Sequence, residues 1–202
     1  MESIKQATGI VKTAAARFQW TGKVRYQNRS YTGDVLASCW DEALFEFLTD
    51  ALTEWFGQTD NEKWKLLYEY TADHPNWFRL KLKDSLDTVI TRYALSKKYN
   101  DPIIAMNQCI IASKRLKKFI EGLGFKAEAI TLQGPREQLP EATSKWRKVS
   151  SDYWKHHVVA VDNRVYDLTF RQFDPNCPYP LITTLVELKK KWKEIYLEEL
   201  GD

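Results

Sequence analysis

Cys109, a pair of adjacent histidines and Asp167 follow one another in an order that suits nucleophilic catalysis. Cys109 lies just inside the start of a predicted amphipathic helix, where free backbone N–H groups favour an anionic sulfur. A downstream histidine would act as the base for this thiol, and Asp167 would fix the orientation of the imidazole. The N–H groups of the same helix turn would hold a developing oxyanion. The order of these residues therefore predicts a thiol hydrolase or acyl-transferase.

The predicted hairpin between the histidines and Asp167 decides which imidazole faces the carboxylate. Strands are predicted over 156–161 and 164–170, joined by an Asp-Asn turn. With a two-residue turn, the alternation of side chains along each strand places His156 on the face of Asp167. A three-residue turn would reverse the parity and select His157. We therefore prefer His156 as the base and keep His157 as the alternative.

Around these residues, the hydrophobic patterns predict an α+β fold. The predicted elements are helices over 35–56, 61–70, 85–99, 108–123 and 183–200, and strands over 125–132, 156–161 and 164–170. Residues 1–100 are thus expected to form a mainly helical region, with a loop or short hairpin at 25–34. Residues 101–202 are expected to form a core in which the Cys109 helix packs on a small antiparallel sheet and a C-terminal helix closes the chain. The two regions are compatible with one compact unit.

Two local features accompany this core. Asn107 is a suitable N-cap for the Cys109 helix, because its side-chain oxygen can accept from a free N–H of the first turn. A polar stretch that contains Gly134, Pro135 and Pro140 separates the first strand from the hairpin. Its length predicts a functional loop or a lid.

The composition excludes several other classes of function. With 30 basic and 27 acidic residues among 202, the net charge of +3 is too balanced to indicate a nucleic-acid or anionic-membrane partner. The sequence has no apolar run of transmembrane length and no signal-like start, so we expect a cytoplasmic protein, with delivery elsewhere left open. Three widely spaced cysteines fit neither a disulfide framework nor a zinc site, and phosphate-loop, dinucleotide and zinc-protease motifs are absent. We expect no metal, no organic cofactor, and a protein or peptide substrate.

Three other assignments stay open at this point. Cys39 is a rival nucleophile, since it also lies near a predicted helix start, whereas Cys177 lies in a turn with no base beside it. The chain is 13% aromatic, so its Trp- and Tyr-rich helices would also suit a non-catalytic protein-interaction module that keeps the same fold. A weaker alternative is nucleic-acid binding through the basic helix face from Lys114 to Lys118.

Residues 107–173 carry three short motifs in a fixed order. They are Asn-Gln-Cys109-Ile-Ile-Ala-Ser, then Leu-Gly-Phe-Lys-Ala-Glu-Ala-Ile, then His-His-Val-Val-Ala-Val-Asp-Asn-Arg-Val-Tyr-Asp167-Leu-Thr. Together they resemble the core of the transglutaminase-like and papain-like cysteine hydrolase superfamily. The segment that follows Asp167, from Thr169 to Phe173, is similar to sequences in bacterial papain-like effector and toxin domains.

This resemblance implies a papain-like or transglutaminase-like core and a Cys109–His–Asp167 triad that acts on an amide, a thioester or a glutamine carboxamide. It covers residues 107–173 only. Many members of the superfamily have a small residue just before the cysteine, whereas this chain has Gln108. Gln108 and Asn107 are therefore candidate oxyanion donors.

Overall fold

The computed structural model describes residues 17–58, 60–135 and 155–197 of the chain. The chain divides into two compact units, Met1–Leu86 and Asp87–Asp202. Helices and antiparallel sheets are both present, so the predicted α+β class is confirmed. Within the described residues, no helix combines the length and the apolar character that crossing a membrane would need.

The first unit contains a three-stranded antiparallel sheet and two helices. In chain order its elements are β1 (Phe18–Tyr26), β2 (Arg29–Ala37), α1 (Trp40–Phe56), α2 (Asn61–Asp73) and β3 (Phe78–Leu82). Strands β1 and β2 form a hairpin, β3 pairs with the other edge of β1, and α1 packs on β2. The hairpin turns at Gln27 and Asn28, whose φ angles of 46° and 61° are both positive, as a tight two-residue turn requires.

The hydrophobic patterns did not predict this sheet within the first hundred residues, apart from the alternative of a short hairpin at 25–34, which is confirmed. The alternation of apolar residues that marks a strand is interrupted in β1 at Gly22, which hides the pattern. A glycine is needed there because a Cβ would lie 2.8 Å from the carbonyl oxygen of Arg79. The helix predicted from residue 35 begins only at Trp40, since the preceding apolar residues belong to β2.

The second unit is a five-stranded antiparallel sheet with helices. Its elements are α3 (Leu86–Leu95), α4 (Pro102–Ala105), α5 (Cys109–Gly122), β4 (Glu128–Pro135), β5 (Lys155–Val161), β6 (Arg164–Asp167), β7 (Leu181–Thr184), α6 (Leu185–Lys191) and β8 (Trp192–Leu197). The strand order is β7-β6-β5-β4-β8. Helix α5 packs on β5 and β4, as predicted for the Cys109 helix. Gly134 and Pro135 end β4, and the rest of the predicted loop lies outside the described residues.

The predicted C-terminal helix over 183–200 is wrong in its second half. The chain leaves the helical conformation after Lys191, and the next six residues pair with β4 as strand β8. Trp192, at this change of direction, is only 1% exposed and belongs to the core of the sheet. Burial of this large ring, together with the hydrogen bonds that β4 offers along its edge, overrides the local preference for a helix.

Candidate active site

The hairpin of β5 and β6 brings His156 and Asp167 together. Val161 pairs with Arg164 across a two-residue turn, and the register continues to Val159 and Tyr166. In this register His156 and Asp167 lie on one face of the sheet, and His156 Nε2 is 2.5 Å from Asp167 Oδ2. The turn length and the pairing of Asp167 with His156 are confirmed.

Asp167 is held in place from its other side. The carboxylate is 3% exposed, and its Oδ1 accepts hydrogen bonds from the backbone N–H and the hydroxyl of Thr169, at 2.8 and 3.3 Å. Both oxygens of the carboxylate are therefore engaged, one with the imidazole and one with Thr169. A carboxylate fixed in this way can orient an imidazole and stabilise its protonated form.

Cys109 is the first residue of α5, and its side chain is half-buried. The predicted N-cap Asn107 is wrong by one residue: Gln108 occupies that position without a capping hydrogen bond from its side chain, and Asn107 has a left-handed backbone with φ 60°. The N–H groups of a first helical turn have no acceptor within their own helix. They lie beside the sulfur, where an oxyanion would form. The oxyanion roles of Asn107 and Gln108 stay predictions.

The Cys109 thiol and the His156 imidazole change each other's proton affinity. Burial raises the pKa of Cys109, but the hydrogen bond and positive charge of His156 and the backbone N–H of His157 outweigh it, so the pKa is lowered. Burial lowers the pKa of His156, but Asp167 and then Cys109 raise it to about 10. A lowered thiol pKa beside a raised imidazole pKa favours the thiolate–imidazolium pair at neutral pH.

The geometry assigns one nitrogen of His156 to each neighbour. Nε2 is occupied by Asp167, so Nδ1 is the nitrogen left for Cys109. Nδ1 is buried and forms no well-aligned hydrogen bond with any described residue. It is therefore free to exchange a proton with the sulfur or with a bound substrate.

His157 faces away from Asp167, and its backbone fixes the cysteine helix instead. Its Nδ1 shares a hydrogen bond of 3.1 Å with the Thr131 hydroxyl. Its carbonyl oxygen accepts a hydrogen bond of 2.8 Å from the Ser113 hydroxyl of α5. Strand β6 ends at Asp167 and no residue of β6 pairs with His157, so on this side of β5 the His157 carbonyl bonds to α5. Ser113, one helical turn after Cys109, thus sets the position of the nucleophile and was missed in the sequence.

Replacement of Ser113 by alanine is expected to destabilise the chain by about 1–3 kcal/mol, because the buried carbonyl of His157 loses its partner. The measurement is urea unfolding followed by tryptophan fluorescence. Ser96→Ala is the matched control, since the Ser96 hydroxyl also donates to a carbonyl, that of Tyr93, but at an exposed position. Equal losses of stability in the two variants would contradict the role of Ser113 in holding α5 on β5.

A cluster of aromatic rings surrounds His156. Trp192 of β8 stacks on the imidazole with ring centroids 6.0 Å apart, and Phe173 meets it edge-on at 5.0 Å. Phe170 lies at 6.4 Å in a similar edge-on contact. These rings exclude water from the imidazole and fix its plane. The contact of Trp192 with His156 was not predicted from the sequence, because Trp192 also fits a helical pattern.

The two other cysteines have different surroundings. Cys39 is the N-cap of α1, and its sulfur accepts a hydrogen bond of 3.5 Å from the Glu42 N–H. Cys177 is buried, and burial together with the charge of Asp167 raises its pKa to about 11. A buried thiol with a raised pKa is a poor nucleophile. An imidazole lowers the pKa of Cys109, whereas the pKa of Cys177 is raised.

Comparison of the chain with protein-family models, with curated proteins and with solved structures gives no match. Its fold and side chains therefore define its class: an α+β protein in which a half-buried cysteine at a helix start meets a buried His–Asp pair. In the described part of the chain, no cluster of His, Cys, Asp and Glu side chains is arranged to hold a metal ion.

Proposed function

We propose that the protein is a cysteine-dependent hydrolase or acyl-transferase that uses Cys109 as nucleophile, His156 as base and acid, and Asp167 as the orienting carboxylate. The observation that carries this proposal is the buried contact of 2.5 Å between His156 and Asp167, with the Cys109 thiol on the remaining side of the same imidazole. Three residues from three separate elements converge there, in the arrangement that activates a thiol.

Access to the sulfur favours catalysis over a purely structural role. The side chain of Cys109 is only partly buried, whereas His156 and Asp167 are almost completely buried. A substrate carbonyl can therefore approach the sulfur while the charges behind it remain shielded from water. A non-catalytic interaction module that merely kept this fold would not need an ionised thiol at an accessible position.

The chemistry of the proposed reaction follows from the ion pair. The Cys109 thiolate attacks the carbonyl carbon, and the electron pair of the C=O bond moves to the oxygen, which the first-turn N–H groups of α5 stabilise. The tetrahedral intermediate collapses, and the His156 Nδ1 proton passes to the leaving amine or thiol. The neutral imidazole then takes a proton from water or from an acceptor amine, which attacks the thioester and releases Cys109.

The class of substrate follows from the reaction rather than from a bound group. An amide, a glutamine carboxamide and a thioester all present the carbonyl carbon that this arrangement attacks. A protein or peptide substrate remains our proposal, as does membership of the transglutaminase-like and papain-like superfamily. Both are supported by the order of a cysteine helix, a strand and a His–Asp hairpin in the second unit.

The proposal is tested by alkylation with iodoacetamide at pH 5.5, followed by peptide mass spectrometry. We expect Cys109 to be labelled at least about ten times faster than an ordinary thiol, because most unpaired thiols are protonated at this pH. Cys109→Ala should lose this fast phase, and Cys177→Ala, which removes a buried thiol instead, is the matched control that keeps it. Fast labelling that persists in Cys109→Ala would contradict the assignment.

A further inference from the structure

A groove lies beside strand β1 in the first unit. Its two parts have volumes of about 510 and 330 Å³, and Arg25, Asn76 and Trp77 line both of them. Arg29 lines the larger part, while Lys23 and Arg79 line the smaller one. Four cationic side chains thus border one groove, and the described residues that line it include no carboxylate.

Strand pairing concentrates this positive charge. Lys23 and Arg79 are directly opposite each other in the pairing of β1 with β3. Like charges in this position destabilise an antiparallel pair. None of Lys23, Arg25 and Arg79 forms an ion pair with an acidic residue in the described parts of the chain. Among the described residues, this face of the sheet therefore carries positive charge without acidic partners, and an anionic ligand would neutralise it.

Trp77 provides an aromatic surface at the same groove. Trp77 is 39% exposed, although its ring packs against two neighbours in its own unit. Tyr70 meets it edge-on with centroids 5.7 Å apart, and His74 lies at 5.9 Å. These contacts fix the orientation of the indole and leave part of its surface accessible for stacking. Asn76 adds an exposed amide that can form hydrogen bonds.

We propose that this groove binds single-stranded nucleic acid, with phosphates on Arg25, Arg79 and Lys23 and an unpaired base on Trp77. Proteins that bind single strands combine a cationic groove with an aromatic stacking surface in this way. The net charge of +3 gave no indication of such a partner, because it sums over the whole chain and hides the local excess on β1 and β3. The inference is independent of the proposed thiol chemistry of the second unit.

The test uses the full chain and a fluorescein-labelled oligothymidylate of about 12 nucleotides, a length typical of such sites. Fluorescence anisotropy over a salt series should show binding that weakens as salt rises. The double variant Arg25→Gln/Arg79→Gln should bind at least about tenfold more weakly and lower the salt slope by about 1.4, since each lost phosphate contact removes about 0.7. Trp77→Ala should weaken binding about tenfold and keep the salt slope.

The matched control removes the same charge elsewhere in the unit. Lys63→Gln/Lys65→Gln on α2 should leave the affinity for oligothymidylate nearly unchanged, and all variants should keep the alkylation rate of Cys109. Arg79→Gln alone should also retain or raise the midpoint of thermal unfolding, because it relieves the repulsion from Lys23. The proposal is overturned if the wild-type chain does not bind, if duplex DNA, thymidine monophosphate or polyglutamate binds equally well, or if both double variants lose the same affinity.

Discussion

His156→Gln is expected to slow the alkylation of Cys109 at pH 6, by up to about 100-fold. Without the imidazolium, burial dominates the environment of the sulfur, so the thiol pKa returns to its ordinary value or rises above it. A free thiol has a pKa of about 8.5, which leaves roughly one thiolate in 300 at pH 6. The greater nucleophilicity of a more basic thiolate recovers part of this loss. The rate of iodoacetamide alkylation, followed by mass spectrometry from pH 4.5 to 9.5, measures the effect.

The adjacent histidine provides the control for this prediction. His157→Gln removes an imidazole that faces Thr131 and keeps the backbone N–H that reaches the Cys109 sulfur. Its alkylation profile should stay close to that of the wild-type chain. In His156→Gln, the rise of the alkylation rate with pH should begin at a higher pH than in the wild-type chain. If the two variants shifted the profile equally, the pairing of His156 with Cys109 would be wrong.

The parts of the site that depend on local geometry were predictable from the sequence. The Asp-Asn turn favours a two-residue loop, and the alternation of side chains along two strands then pairs Asp167 with His156, with His157 as the alternative for a longer loop. The position of Cys109 at a helix start follows from the apolar pattern of α5. Each of these inferences needs only short stretches of chain, so distant contacts do not change it.

The parts that depend on distant contacts were not predictable. Trp192 follows a run of lysines in helical register, and its place in strand β8 is set by pairing with β4, far away in the sequence. In the sequence, Ser113 fits an ordinary helical pattern. Its hydrogen bond to the His157 carbonyl depends on where β6 ends, which only the structure shows. The sequence did not predict the sheet of the first unit, because Gly22 interrupts the apolar alternation of β1 at the point where β3 approaches it.

Cys109→Ala is expected to change how the stability of the chain depends on pH between about 6.5 and 8.5, the ordinary pKa values of histidine and cysteine. The raised pKa of His156 gives stability that is fully present below pH 6.5 and is lost as pH rises toward about 10. The lowered pKa of Cys109 gives stability that is present above pH 8.5 and is lost as pH falls through the folded value. Above the folded pKa of Cys109 and up to pH 8.5 the two slopes cancel, so the free energy of unfolding of the wild-type chain should change less with pH there than that of Cys109→Ala.

Removal of the thiol leaves the contribution of His156 alone. The free energy of unfolding of Cys109→Ala should therefore fall with rising pH, by less than the limit of about 1.4 kcal/mol per pH unit for one proton, because only Asp167 then raises the pKa of His156. Urea unfolding at pH 6.5, 7.5 and 8.5 measures the slope. Cys177→Ala is the matched control, because a thiol whose pKa is raised to about 11 contributes no slope below pH 8.5. If Cys109 and His156 were instead neutral in the folded chain, the free energy of unfolding of Cys109→Ala would change as little with pH as that of the wild type. A buried imidazole without a raised pKa carries no proton to lose in this range.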